Sequence, residues 1–272
     1  MNNILDKITE KTAEDLAKRK KKVSLADFNT FEGFEKERVS FKKSLEDSNT
    51  VSIIAEVKKA SPSKGIIRPD FDPVDIALRY EEGGASAISI LTDEPFFKGD
   101  IKYLEGISKR VKLPLLRKDF IIDPYQIKEA KAHGADAVLI IVAITEGDQL
   151  HELQYAAKEF GLDALVECYD RDDFDRLDFE QTEILGVNNR DLKTFEVDVH
   201  RGIAILQQAP KDTILVSESG LSSGKELALL KNEGIHSALI GEYFMREKDP
   251  GQALKDLLEQ LETEFEISNL ND

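Results

Sequence analysis

An apolar, β-branched run from Ile53 carries one carboxylate, Glu56, and one ammonium, Lys58, two positions apart, then breaks at Ala60-Ser61-Pro62. Residues two apart on a strand share a face. Two ionisable groups on an apolar face are costly unless they are paired or put to use. Comparable endings recur: Lys118-Asp119, Glu167, Asn188-Asn189-Arg190 and Ser217-Glu218-Ser219 each close a short apolar run. Lysines and glutamates gathered in one place can move protons as acids and bases. Fixed cations and backbone N–H donors can hold an anion. Any one of these residues is equally well read as a solvated strand end, but five such endings at matching depth argue against that.

Stepping from these residues to the elements that carry them, eight short runs are apolar throughout: Val51 to Lys58, Ser86 to Leu91, Leu115 to Phe120, Ala137 to Ala143, Ala164 to Cys168, Ile184 to Asn188, Ile214 to Ser219 and Ala238 to Gly241. Apolar runs without alternation are the mark of parallel strands covered on both faces. Helical spacing fills the intervals, as in Leu150, Leu153, Ala157 and Phe160. Eight such units predict an α/β protein, a (β/α)8 TIM barrel, in which groups at the C-terminal strand ends face the active site. No GxGxxG or GxxxxGK[ST] pattern follows any of the strands, which weakens a nucleotide-binding alternative. Ser219-Gly220 and Gly241-Glu242 follow the seventh and eighth strands, where many barrels hold phosphate.

Residues 1–47 differ from the rest. Ile4, Leu5, Ile8 and Leu16 fall near a helical period, and Phe28, Phe31, Phe34, Phe41 and Leu45 are expected on a second helical stretch. The expectation is one barrel domain over residues 1–272, with residues 1–47 as a helical extension covering one end.

A net charge of −16 over 272 residues argues against nucleic acid as a partner. The longest apolar run is too short to span a bilayer, and the N-terminus lacks the apolar core of a signal peptide, so a cytoplasmic location without a membrane partner is expected. The acidic stretch from Asp170 to Glu183 and the tail glutamates Glu259, Glu262, Glu264 and Glu266 read as solvated surface. The single cysteine, Cys168, permits no internal disulfide, and it is expected to face the helices, opposite Glu167. His133, His151, His200 and His236 have no second His or Cys at ligand spacing, so neither a metal nor any other cofactor is expected.

The ordered motifs IIAEVKKASPSKG, LLRKDFIIDPYQI, LVEC, GVNNRDL, VSESGL and LIGEYFM, with LTDEPFFKG after the second strand, resemble the indole-3-glycerol phosphate synthase family over nearly the whole chain. The resemblance implies ring closure of 1-(2-carboxyphenylamino)-1-deoxyribulose 5-phosphate with loss of carbon dioxide and water, in tryptophan biosynthesis. It also implies an N-terminal extension packed over the catalytic face. By motif, Lys118 matches the family's general acid and Glu167 its proton-transfer residue in the dehydration. Lys58, oriented by Glu56, matches the lysine on the anionic substrate groups and is available as a further acid. Asn188 and Ser219 would hold hydroxyl or intermediate groups, and Ser61, Arg190, Gly220 and Gly241 the phosphate. Pro62, Phe97, Phe120, Leu139 and Ile141 match the slot for the anthranilate ring, although each is also readable as plain core. Two positions depart from the family's pattern: Tyr243 stands where serine is frequent, and Tyr169-Asp170 where His-Asp or His-Asn is commoner. The partner implied is a small phosphorylated substrate, met by a monomer; association with other enzymes of the pathway is left open. A Schiff-base phosphosugar aldolase using Lys118 or Lys58, and a barrel that only binds a phosphosugar, are the competing readings.

Overall fold

A computed structural model of the chain describes residues 4–46, 50–191 and 194–269. Residues 1–3 and 47 of the expected extension, and the last residue of GVNNRDL, lie outside them. Eight parallel strands close into a barrel in sequence order: β1 (Ser52–Val57), β2 (Ala87–Leu91), β3 (Leu115–Lys118), β4 (Ala137–Ile141), β5 (Asp163–Cys168), β6 (Ile184–Asn188), β7 (Ile214–Glu218) and β8 (Ser237–Ile240), with β8 pairing back onto β1. Each expected strand is present, with ends shifted by no more than two residues.

Strand periodicity sorts the side chains into two cores. Ile54, Ala87, Leu116, Leu139, Leu165, Ile184, Val216 and Leu239 point inward and fill the barrel. Their neighbours Ile53, Ala55, Ile88, Leu115, Val138, Val166, Leu185 and Ile240 point outward into a second core beneath the helices. Cys168 belongs to the outer core, one position from the inward Glu167, and burial pushes its thiol well above the ordinary range. A thiol so placed is a small apolar group.

Aspartates start many of the helices that follow these strands. Asp72, Asp100, Asp123 and Asp198 each accept from a backbone N–H in the first turn, satisfying donors that the helix itself leaves unpaired. Part of the chain's acidity is therefore structural.

The extension reaches both ends of the barrel. Helix α1 (Ile4–Lys22) lies at the C-terminal mouth, where Ile4, Leu5 and Ile8 join the inner core. Residues 23–40 then run down the Pro124–Ala132 helix, with Phe28 packed edge-on against Tyr125 at 5.0 Å. The expected second helical stretch forms only as two short pieces, a single 3-10 turn (Asp27–Thr30) and a four-residue helix (Phe41–Ser44). Tertiary bonds decide this stretch: the Arg38 guanidinium donates to the carbonyls of Gly33, Phe34 and Ala135, and Lys36 meets Asp136 at 3.1 Å. Phe41 and Leu45 finally plug the N-terminal end of the barrel, under Ile54 and Ala137.

Because Phe41 is completely buried at a closed end, truncating it leaves a cavity that the rigid barrel cannot refill. Phe41→Ala is expected to destabilise the protein by about 3–5 kcal/mol, read from urea unfolding. Turnover by the folded fraction should be unchanged, since the plug lies opposite the mouth.

Candidate active site

At the C-terminal mouth an apolar-walled cavity of about 380 Å³ gathers every residue to which the family resemblance gives a catalytic or binding role. Its floor is an ammonium held between two carboxylates. Lys118 Nζ, at the end of β3, lies 2.9 Å from Glu167 Oε2 on β5 and 2.6 Å from Glu218 Oε2 on β7. Burial pulls the Lys118 ammonium toward neutrality, but the charges of Glu167, Glu218 and Glu56 outweigh it and hold the pKa well above the ordinary lysine range. Glu218 is buried, and burial together with the nearby Glu167 charge pushes its pKa up to about 8 against the pull of Lys118. Its Oε1 has no hydrogen-bond partner and lies against Gly186, where any Cβ would come within 2.3 Å of it. Glycine on β6 therefore makes the room for this carboxylate.

Glu218 was not among the residues assigned a role from sequence. The signal was present in VSESGL: Val216 and Glu218 share the inward face, while Ser217 points out to accept from Asn189 Nδ2 at 2.9 Å.

Outside the barrel wall, Arg117 fixes the strand that carries Lys118. Its guanidinium is fully buried and donates to Asp119 at 2.8 Å, Thr92 at 3.1 Å and the Gln126 carbonyl at 2.8 Å, and it pairs with Glu129 at 3.0 Å. Burial would raise the pKa of Asp119, yet the Arg117 charge and the Thr92 hydroxyl hold it below the usual carboxylate range. Glu129 also takes Arg19 of α1 at 2.6 Å. One buried network thus ties the extension to the catalytic strand.

On the next strands, Asn188 donates a long 3.5 Å bond to Glu167 Oε1 and accepts from the Arg190 backbone at 3.1 Å. Arg201 supports this corner from behind, donating to the Asn188 carbonyl at 2.7 Å while its guanidinium stacks over the Tyr169 ring at 4.0 Å. Tyr169, the first departure from the family pattern, turns away and donates to Asp191 at 2.7 Å, so it serves this corner's packing. Leu139 and Ile141 line the slot beside Phe97 and Phe120, whose rings lie 5.9 Å apart. Asp93 caps the short helix that presents Phe97, accepting from Phe96 and Phe97 N–H at 2.9 and 3.1 Å.

The remaining residues form a cationic rim. Lys58 and Glu56 are a close ion pair, and Gly241 passes so near Glu56 that a Cβ would come within 2.4 Å of its carboxylate. Ser219 and Gly220 both have positive φ, 72° and 79°, an arrangement uncommon for serine. The Ser219 carbonyl is pinned by Asn189 at 3.0 Å. Arg190 pairs with Glu242 at 3.1 Å, and Ser61, Pro62 and Tyr243 complete the wall. A neighbouring cavity of about 610 Å³ shares Leu5, Ile141, Glu167 and Asn188 but is walled by Asp6, Glu10, Asp170, Asp173 and Asp191. That side repels anions and the rim attracts them. Among the described residues no group of three or more His, Cys, Asp or Glu could hold a metal ion, and no helix is long and apolar enough to cross a membrane.

Comparison with known proteins bears on what this site does. A family model described as indole-3-glycerol phosphate synthase matches residues 5–257. Proteins of that name from Campylobacter jejuni (serotype O:6), Salinibacter ruber and Zymomonas mobilis are 49%, 48% and 44% identical to the chain. They cover 94%, 94% and 95% of it, and 100%, 95% and 99% of their own lengths. Among solved structures, a mutant tryptophan synthase alpha-subunit from Pyrococcus furiosus superposes with a TM-score of 0.60 at 15% identity, covering 80% of this chain and 98% of its own. A thiamine phosphate pyrophosphorylase from the same organism gives 0.57 at 13% identity, covering 79% and 98%. Those two likenesses show the barrel alone. The match across residues 5–257 and the identity to full-length relatives go further: the chain belongs to the indole-3-glycerol phosphate synthase family.

Proposed function

We propose that the chain closes the indole ring of 1-(2-carboxyphenylamino)-1-deoxyribulose 5-phosphate by acid–base catalysis, with the residues of this one cavity in distinct roles. The observation that carries the assignment is the buried ammonium of Lys118 between Glu167 and Glu218 at the floor of an apolar slot. The aromatic carbon bearing the carboxylate attacks the ribulose carbonyl, and the Lys118 ammonium protonates the developing alkoxide. Loss of carbon dioxide restores the aromatic ring. Loss of the new hydroxyl as water then needs a proton for the leaving oxygen, from Lys118 or Lys58, and removal of a proton from the adjacent carbon by Glu167. Glu218, which retains a proton at neutral pH, keeps the triad electrically neutral and leaves Glu167 as the ionised base.

The slot between Phe97, Phe120, Leu139 and Ile141 suits the anthranilate ring, with Pro62 at its rim. Asn188 and Ser219, which line the same cavity, hold hydroxyl groups in this reading. Ser61, Arg190, Gly220 and Gly241 take the phosphate, with Lys58 facing the anionic groups and Glu56 aiming it. The proposed cavity is enclosed within a single barrel, as action by a monomer requires, and a biosynthetic reaction of this kind suits the cytoplasm. A Schiff-base reaction is disfavoured by the state of Lys118, because an amine whose pKa is held well above the ordinary lysine range is a proton donor and a poor nucleophile.

The deciding assay follows indoleglycerol phosphate by fluorescence with purified protein and synthetic substrate; no product would overturn the reading. Lys118→Ala and Glu167→Gln are each expected to lower turnover by about 10²-fold or more with the fold intact, and wild-type turnover in either removes that residue from the mechanism. Borohydride added during turnover should trap no adduct.

The raised pKa of Glu218 makes a further, signed prediction. A carboxyl that titrates near 8 in the folded protein and near 4.5 when unfolded binds more protons folded between those values. Its contribution to stability is complete below the lower value and is lost as pH rises through the upper one. Urea unfolding across that window should show the decline in wild type and a flatter dependence in Glu218→Gln. An equal slope in both proteins would show that Glu218 titrates normally.

A further inference from the structure

The cationic rim is already engaged by the protein's own carboxylates. Glu242 Oε2 accepts from Arg190 Nη2 at 3.1 Å, while Glu242 Oε1 accepts from Arg246 Nη2 at 2.9 Å and Nε at 3.2 Å. Each oxygen thus takes one guanidinium. Arg190, Glu242, Arg246 and Lys58 all line the catalytic cavity, beside Gly220 and Gly241. Burial would raise the Glu242 pKa, but the Arg246 hydrogen bonds and the charges of Arg190, Arg246 and Lys58 bring it below the usual carboxylate range. The group is therefore a full negative charge at neutral pH, in the same field that a phosphate would meet.

The local charges can be counted. Lys58, Arg190 and Arg246 contribute three positive charges, Glu56 and Glu242 two negative ones, and the rim carries a net +1. A phosphate ester brings a charge of about −1.5 to −2. Carboxylate and phosphate compete for the same planar donor fork of arginine, and two anions crowded on one guanidinium repel each other.

We propose that Glu242 is a built-in competitor for the substrate phosphate, which must take Arg190 from it in order to be held. This rests on the reading of Arg190, Gly220 and Gly241 as the phosphate site. Arg246, one helical turn from Glu242, gives the carboxylate somewhere to remain when Arg190 turns to the phosphate. When the product leaves, Glu242 recovers Arg190. Because the phosphate takes no part in bond making, its contacts are the same in substrate, transition state and product. Weakening them lowers affinity for all three alike and leaves the chemical barrier unchanged. The competitor thus limits retention of substrate and product without a penalty in the chemical step. Glu242 acts through Arg190, as a positioning residue.

The test uses the full chain and inorganic phosphate as the probe, titrated by calorimetry into wild type, Glu242→Gln and Arg190→Gln, with steady-state kinetics of the first two. Glu242→Gln is isosteric at a partly exposed side chain, and thermal unfolding checks that it folds. The expected result is phosphate binding at least about tenfold tighter in Glu242→Gln. KM for the substrate should be correspondingly lower and kcat unchanged, or reduced where product release limits. Equal or weaker phosphate binding in Glu242→Gln, with binding lost in Arg190→Gln, would overturn the proposal by showing that Glu242 only orients Arg190. Unchanged binding in Arg190→Gln, or no binding in any of the three proteins, would remove the phosphate site itself and the competitor with it.

Discussion

The structure is organised around one ammonium with two carboxylates at the bottom of an apolar slot. Lys118 satisfies Glu167 and Glu218 together, and neither carboxylate could be left buried there without it. The same arrangement forces an imbalance, because two carboxylates cannot both be ionised beside one ammonium at no cost. One of them retains a proton, and Glu218, the more deeply buried, is the one whose pKa rises. Two glutamates on neighbouring odd-numbered strands are thereby distinguished by environment alone, the one on β7 being the more reluctant to ionise.

Much of the surrounding structure serves to keep that triad in register. Gly186 leaves the space that Glu218 occupies. On the far side of the β3 wall, Arg117, Asp119 and Glu129 form a second buried charge network one residue out of phase with Lys118. The alternation of a strand therefore places one cation, Lys118, inside the wall and a second, Arg117, outside it. Through Arg19 the outer network reaches α1, whose Ile4, Leu5 and Ile8 roof the slot and keep it apolar. Apolar walls lower the local dielectric and so strengthen the electrostatics on which the triad relies.

The barrel strands and the facing of their polar ends were legible in the sequence, because both follow from local periodicity. Apolar runs gave the strands, and the two-residue spacing of Glu56 and Lys58 gave the inward face. What escaped depended on contacts between distant segments. Phe28, Phe31 and Phe34 have a spacing compatible with a helix, yet Arg38 and the Pro124–Ala132 helix draw that stretch into turns. Glu218 stood between two serines in a motif that was recognised as a whole, and only the parity of Val216 and Glu218 separates the inward carboxylate from its neighbours. The ion pair of Glu242 with Arg190 joins β8's loop to β6's, and no local spacing could announce that partner, whereas Arg246 lies one turn on in Glu242's own helix. Gly241-Glu242 had drawn notice for its backbone, whereas the side chain sets the charge of the rim.

The strong overall acidity and the anionic substrate look incompatible only if charge is averaged over the chain. Acids cap helices, cover the surface and wall the neighbouring cavity, while these cations of the mouth are each paired with acidic side chains: Lys58 with Glu56, Lys118 with Glu167 and Glu218, and Arg190 and Arg246 with the shared Glu242. A mouth of unpaired cations would grip both ends of the substrate, and the product's phosphate with equal strength. Pairing each cation beforehand limits that uniform attraction and fixes the direction of every donor. Under the proposed mechanism, affinity is then concentrated where geometry changes during the reaction, at the oxygen that Lys118 would protonate. An anion-handling site can therefore sit in a chain of net charge −16, because what acts on the substrate is the placement of a few paired charges in an apolar slot, a local property that the total does not govern.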